Sequence, residues 1–203
     1  EQYTQIITLF DRLDYLSNFN NELVVCSAAE KLMGIDIPER AQYIRVILCE
    51  LNRLSSHFLF YGTFGLDAGA MTPVMYAFRE RERIQSLFEA VSGARMMHNF
   101  FRVGGVKEDL PSDFHERITL LLGELRKGVE QADHLLTFNE IFLARTRDVG
   151  TIDSKTAIGL GLTGPNLRAT GIPYDVRRTE PYLVYDRLDF DIPVGDRGDC
   201  WDR

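Results

Sequence analysis

Cysteine is scarce in this chain: three residues in 203, at positions 26, 49 and 200, far apart and odd in number. That excludes a disulfide framework and points to a reducing compartment. No Cys-x-x-Cys pair is present, so the chain lacks a local metal-ligand motif; Cys26 and Cys49 read as small core residues on helices. Long apolar runs are missing too: none approaches the roughly 18 residues of a membrane span. No signal peptide opens the chain, so contact with a membrane is expected only through a partner. Positive charge is in deficit, with 23 Lys and Arg against 30 Asp and Glu, a net charge of −7 and a pI near 5.2. This balance argues against nucleic-acid binding. Internal repeats and low-complexity segments are absent.

What is present suits a globular protein able to bury a core, with 45% hydrophobic and 26% charged residues. Glu1 leads almost directly into a helical pattern and Arg203 follows no completed element, which reads as an internal piece of a longer polypeptide. Ile6, Leu9, Leu13, Leu16 and Leu23 recur at helical spacing, predicting a first helix over 4–33 with these residues on its buried face. Gly34 serves as its C-cap, Pro38 lies just beyond, and the stretch 18–21 (Asn-Phe-Asn-Asn) is poor helix material that bends it. A second helix is expected over 38–61, ended by Gly62 and Gly65, and a third from Thr72-Pro73 to about 101, interrupted at Gly93, where another backbone approaches closely. The alternating Arg and Glu at 79–83 read as a solvated or subunit-facing strip.

Gly104-Gly105 breaks the chain. The cleanest helical stripe follows, formed by Phe114, Ile118, Leu121, Leu122, Leu125, Val129, Ala132 and Leu136, and then a short helix near 139–147. Beyond Gly150, glycines and prolines mark loops, with 188–192 alternating like a short strand. The architecture expected is mainly α: an antiparallel helical bundle over residues 1–150 and an irregular lobe with short strands over 151–203 of the same domain.

Three polar groups stand where a bundle does not need them. Asp11, Arg12 and Tyr15, at i, i+1 and i+4, are expected together on one side of the first helix, a cation and a carboxylate beside a phenol that can donate or accept. Asp67 lies between glycine-rich turns, where close backbone approach lets a buried carboxylate accept N–H bonds. Arg12, Arg95 and Arg102 offer permanent positive charge to an anionic or reduced ligand. Each alone reads more readily as a structural ion pair or a surface residue than as part of a site.

Eight stretches change that weighting. They are 11–17 (Asp-Arg-Leu-Asp-Tyr-Leu-Ser), 30–32, 40–45, 66–73 (Leu-Asp-Ala-Gly-Ala-Met-Thr-Pro), 92–96 (Ser-Gly-Ala-Arg-Met), 102–106 (Arg-Val-Gly-Gly-Val), 164–168 and 193–200. In this order they resemble the D subunit of NADH:quinone oxidoreductase, respiratory complex I. The resemblance implies a helical core like that of the large subunit of nickel–iron hydrogenases. It also implies membership of a proton-pumping complex bound peripherally on the cytoplasmic side of a cell membrane, or the equivalent organelle membrane. Its implied partners are the B, C and I subunits and the membrane-embedded H subunit. The B subunit carries the last iron–sulfur cluster, and quinone docks in the cleft between the B and D subunits; no cofactor is expected on this chain alone. Residue by residue, Tyr15 matches the tyrosine that hydrogen-bonds a quinone carbonyl. Asp67 matches the aspartate paired with a quinone-binding histidine of an N-terminal loop, and Arg12 an arginine near the cluster.

Those roles agree with the chemistry. Quinone reduction places negative charge and then protons on two oxygens, which calls for a donor at an oxygen and a proton source nearby. A phenol donates strongly while keeping its proton at neutral pH. Two departures are visible. The quinone-binding histidine lies upstream of Glu1 in the family, so this chain is not expected to complete the site alone or to be active in isolation. The histidine that some members carry after Gly-Ala-Arg-Met, linked to pH dependence of the cluster, is Met97 here, with His98 one helical step away. Rival readings are the large subunit of a membrane-bound hydrogenase, a coenzyme F420- or ferredoxin-driven oxidoreductase, and a scaffold without chemistry of its own.

Overall fold

The structure, a computed structural model, describes residues 2–203. It divides into two compact units, Glu1–Leu135 and Leu136–Arg203.

In the first unit a 3-10 turn (Tyr3–Gln5) and a short helix α1 (Ile6–Phe10) precede a series of turns over 11–17, and α2 (Asn18–Met33) follows. The single long helix expected over 4–33 is therefore two helices. Asparagines at 18, 20 and 21 do more than weaken a helix, because their side chains reach backbone and side-chain groups outside α2. Asn18 Nδ2 donates to Asp11 O at 2.7 Å and Asn21 Nδ2 to Asp14 O at 2.9 Å, holding the turns against the new helix. With the helical register broken at Phe10, the expected stripe does not bury as one face. Ile7 and Leu23 are in the core, whereas Ile6, Leu9 and Leu13 are exposed. Gly34 does cap α2, at φ +65° with its N–H on Glu30 O.

Helix α3 (Glu39–Asp67) runs straight through Gly62 and Gly65, and α4 spans Thr72–Ser92. A Cβ at position 62 would stand 3.0 Å from Ala77 Cβ and 3.1 Å from Val74 Cα, so glycine is needed there for helix α4 to approach α3. Arg81 Nε donates to Ser55 Oγ at 3.1 Å further along, which fixes the two helices as antiparallel. Gly93, expected to admit a neighbouring backbone within a helix, instead ends α4 in the left-handed region at φ +80° with open space around it. The glycine roles assigned at 62 and 93 are thus exchanged.

A two-stranded antiparallel hairpin follows, β1 (Phe101–Arg102) and β2 (Gly105–Val106), then α5 (Phe114–Ala132) and a π turn (Asp133–Thr137). The buried stripe of α5 is narrower than its apolar pattern: Phe114, Leu121, Leu125 and Gly128 face inward, while Leu122 and Val129 are exposed. Gly128 is filled by Glu80, whose Cγ would lie 2.8 Å from a Cβ there. The charged strip at 79–83 is consequently not wholly solvated. Glu80 is buried between Arg79 and Arg83, to which it pairs at 2.6 Å each, and Arg81 is buried against Ser55.

The second unit contains α6 (Glu140–Thr146), α7 (Ser154–Gly159), α8 (Gly164–Arg168), α9 (Val176–Thr179) and a 3-10 turn (Tyr185–Arg187). Leu136, Phe142, Ala157, Leu167, Val184 and Tyr185 form its core. No strand occurs at 188–192; there Arg178 Nη2 binds Asp189 Oδ1 and Phe190 O, so side chains rather than a neighbouring strand take the polar groups. The final stretch is ordered by turn bonds. Asp202 Oδ2 accepts from the N–H groups of Asp196 and Arg197, and Gly198, at φ +66°, exchanges backbone bonds with Ile152 and Ala169. The fold is mainly α, as the sequence predicts, and its short strands among the described residues form the hairpin at 101–106 rather than a strand at 188–192.

Candidate functional site

The turns at 11–17 owe their shape to distant amides. Asn52 on α3 donates from Nδ2 to Leu16 O at 3.0 Å, and its Oδ1 accepts from Phe19 N at 3.1 Å. The Phe19 N–H is one that a helix leaves unsatisfied at its start. Ser17 provides no side-chain cap, so an asparagine 33 residues onward does it instead. Arg12 and Tyr15 project from this braced segment into solvent, with Tyr15 58% exposed. Arg12 Nη1 donates to Thr8 O, and the Tyr15 hydroxyl has no partner among the described residues. A groove of about 490 Å³ is lined by residues of the 3-10 turn and α1, among them Tyr3, Ile6, Thr8 and Leu9, and neither Arg12 nor Tyr15 lines it.

Asp11 does not join them. It is fully buried, and Oδ2 accepts from Asn99 N at 3.0 Å. The expected Asp-Arg-Tyr face is split because the helix stops at Phe10, so i and i+4 no longer point the same way. Asp67 is also placed differently from its expected buried position. As the last residue of α3 it is exposed and makes no hydrogen bond or ion pair among the described residues. Fifteen residues of helix separate it from Asn52, a rise of roughly 22 Å. Asp67 and Tyr15 therefore do not touch.

The arginine set is divided as well. Arg12 and Arg102 both act on the charge of Asp11, and Arg102 Nη1 is held by Asn99 O and Oδ1. Arg95 instead pairs with Glu82 at 2.6 Å and Glu89 at 3.2 Å, which leaves it a surface ion pair. The region after α4 is not helical, so the helical step assumed between Met97 and His98 does not apply. Met97 and Asn99 both take positive φ, 57° and 44°, and this turns alternate side chains in opposite directions. Met97 Sδ faces Asn18 Nδ2 at 3.5 Å, toward the 11–17 turns. His98 points inward, stacked on Phe19 with ring centroids 4.1 Å apart, its Nδ1 3.0 Å from Ala94 O. Burial pushes its pKa down to about 4 against the opposing pull of that carbonyl, so it stays neutral at physiological pH.

Sequence reasoning missed Glu22, Asn52, Glu30 and Arg45. Glu22 is fully buried and binds the backbone of the hairpin; Arg45, also fully buried, makes a two-pronged pair with Glu30. The available clue was their position: Glu22, Asn52 and Arg45 fall on the inward faces of α2 and α3, where a polar residue interrupts an apolar stripe.

Comparison with known proteins gives the family of the chain. The family model described as "Respiratory-chain NADH dehydrogenase, 49 Kd subunit" matches residues 67–203. The NADH-quinone oxidoreductase D subunit of Bacillus cereus is 50% identical over 202 residues, covering 100% of this chain and 55% of that protein. The second NADH-quinone oxidoreductase D subunit of Chloroflexus aurantiacus is 51% identical over 201 residues, covering 99% of this chain and 49% of that protein. These similarities take in the 11–17 turns, which precede the region matched by the family model. The chain spans about half the length of the curated relatives it matches. With more than half of its length matched by the family model, the chain belongs to the family of the 49 Kd subunit of respiratory-chain NADH dehydrogenase.

Proposed function

We propose that this chain is the part of the D subunit of a proton-pumping NADH:quinone oxidoreductase that forms the quinone-reduction cleft together with the iron–sulfur B subunit. The observation that carries the reading is Tyr15, a phenol with no partner among the described residues, projecting from a turn that buried amides lock in place. Quinone takes up two electrons and two protons, and its oxygens become strong acceptors as charge arrives. The Tyr15 hydroxyl donates to one of them without reorganising, because its turn is already braced. Asp67, free of partners among the described residues, orients a histidine contributed by the N-terminal loop of the full-length protein. Arg12 places positive charge at the mouth, where it favours arrival of an electron at the neighbouring cluster. The C, I and H subunits complete the surroundings, and the complex sits at the cytoplasmic face of its membrane. No helix among the described residues is long and apolar enough to cross one.

A photoreactive short-chain quinone, cross-linked to the assembled enzyme and mapped after trypsin digestion, tests this. Cleavage after Arg12 and Lys31 isolates Tyr15 in peptide 13–31, and cleavage after Arg53 and Arg79 isolates Asp67 in 54–79. Label on 13–31, displaced by excess quinone, is expected; label confined to other subunits would favour a scaffold role. A second expectation concerns Met97 and His98. With methionine at the family's histidine position and the adjacent histidine buried and neutral, the midpoint potential of the neighbouring cluster is expected to stay flat across physiological pH. A redox titration with a clear pH slope would refute that.

A further inference from the structure

Asp11 and Glu22 meet behind the turn that carries Arg12 and Tyr15, and neither side chain has any solvent exposure. One oxygen of each is well supplied. Glu22 Oε2 accepts from Phe100 N at 2.8 Å and Phe101 N at 2.6 Å, and Asp11 Oδ2 accepts from Asn99 N at 3.0 Å. The other two oxygens, Asp11 Oδ1 and Glu22 Oε1, are buried without any donor among the described residues, and the two carboxyl groups lie within hydrogen-bonding reach of each other. An ionised carboxylate can only accept, so two such oxygens meeting in a dry interior repel unless a proton lies between them.

We propose that Asp11 and Glu22 share a single proton, and that this proton clamps the turn bearing Arg12 and Tyr15 to the segment 99–101. Both residues are positioning residues. The part of the inference that concerns quinone rests on the function proposed for Tyr15; the shared proton itself does not.

The surroundings favour one proton over none or two. From the turn, Arg12 acts on Asp11, and from the hairpin, Arg102 does the same; together they favour one remaining negative charge. On the α2 and α3 side stand the thiols of Cys26 and Cys49, both pushed up by burial, and the Glu30–Arg45 pair. His98, beyond Phe19, is neutral. Burial first, and then the neighbouring Asp11, push Glu22 up to about 9, and burial raises Asp11 as well. The sign follows from the raised values. In the unfolded or released state the carboxyls lose their protons in the ordinary range, so the clamp is fully formed below that range and weakens as pH climbs through about 9.

The test uses the assembled enzyme and its pH profile. In the wild type, KM for a short-chain quinone should rise as pH climbs toward about 9, by at most about tenfold per pH unit, and level off above it, where the pair has lost its proton. In Glu22→Gln an amide N–H takes the place of the shared proton while the amide oxygen, in the position of Glu22 Oε2, accepts from Phe100 and Phe101. That variant should show no alkaline rise in KM. An alkaline limb in Glu22→Gln identical to the wild type would overturn the proposal. Asp11→Asn, which preserves acceptance from Asn99, supplies the same reading if Glu22→Gln does not assemble. Infrared difference spectra of the wild type on either side of pH about 9 provide a measurement without any variant. A protonated-carboxyl band present below and lost above is expected, and its absence overturns the shared proton. A band that titrates while the wild-type KM stays flat overturns the clamp. A titrating band together with quinone label missing from peptide 13–31 supports the shared proton and counts only against the quinone role of Tyr15.

Discussion

Phenylalanine in place of Tyr15 is expected to lower quinone reduction by about ten- to a hundredfold while the complex assembles normally. The change removes one oxygen atom. That oxygen has no partner among the described residues, and the ring is more than half exposed, so the fold loses neither a hydrogen bond nor packing. On the role proposed for Tyr15, what is lost is a donor to an acceptor that becomes charged during the reaction, worth about 1.5–3 kcal/mol. Each 1.36 kcal/mol corresponds to about tenfold in rate. The loss should fall on kcat as well as kcat/KM, because the bond strengthens as negative charge develops on the quinone oxygen. Wild-type activity in an assembled Tyr15→Phe enzyme would remove the phenol from the chemistry and leave a scaffold as the better reading of the whole chain.

Methionine in place of Arg45 is expected to destabilise the first unit by about 3–5 kcal/mol, the cost typical of breaking a buried ion pair by removing one partner. Arg45 has no solvent exposure and binds both oxygens of Glu30, at 3.0 and 2.7 Å. Its remaining donors reach Arg102 O at 2.7 Å and Gly105 O at 2.9 Å, so a single guanidinium ties α2, α3 and the hairpin together. Without it Glu30 keeps only Gly104 N, at 2.7 Å, and stays buried with an uncompensated charge. Two hairpin carbonyls lose their donor as well. Lysine should rescue little, since one ammonium cannot reproduce a planar fork that serves three acceptors. The double change Arg45→Met/Glu30→Met should recover part of the loss, because no lone charge then remains inside. Denaturant midpoints of the full-length protein and its three variants measure these claims, and equal midpoints for Arg45→Met and wild type would refute the first.

These two residues were unequally visible in the sequence. Tyr15 drew attention through the motif around it, although its supposed helix proved to be a turn. Arg45 passed unnoticed within 40–45, a motif recognised as a whole, because nothing local distinguishes an arginine that will be buried from one that will be solvated. The same holds for Glu80 and Glu82, two positions apart in one alternating strip. Glu80 is sealed behind Gly128, whereas Glu82 lies open on the surface.

The sequence by itself determined the family, the helices α3 to α6 and several of their ends, but not the break at Phe10 or the short helices α7 to α9. Apolar spacing marked α3, α4 and α5; Gly34 and Thr72-Pro73 marked boundaries. Each of these is written in residues within one or two turns of each other, so a linear reading captures it. Only the tertiary structure decided which polar groups go inside and which glycine serves packing rather than termination. Gly62 is read by Val74 and Ala77 from another helix, Glu22 by the backbone of Phe100, 78 residues onward, and Asp11 by Asn99, 88 residues onward. Burying a carboxyl group is tolerable only where such a distant donor is delivered to it, and delivery is a property of the packed molecule, not of any segment.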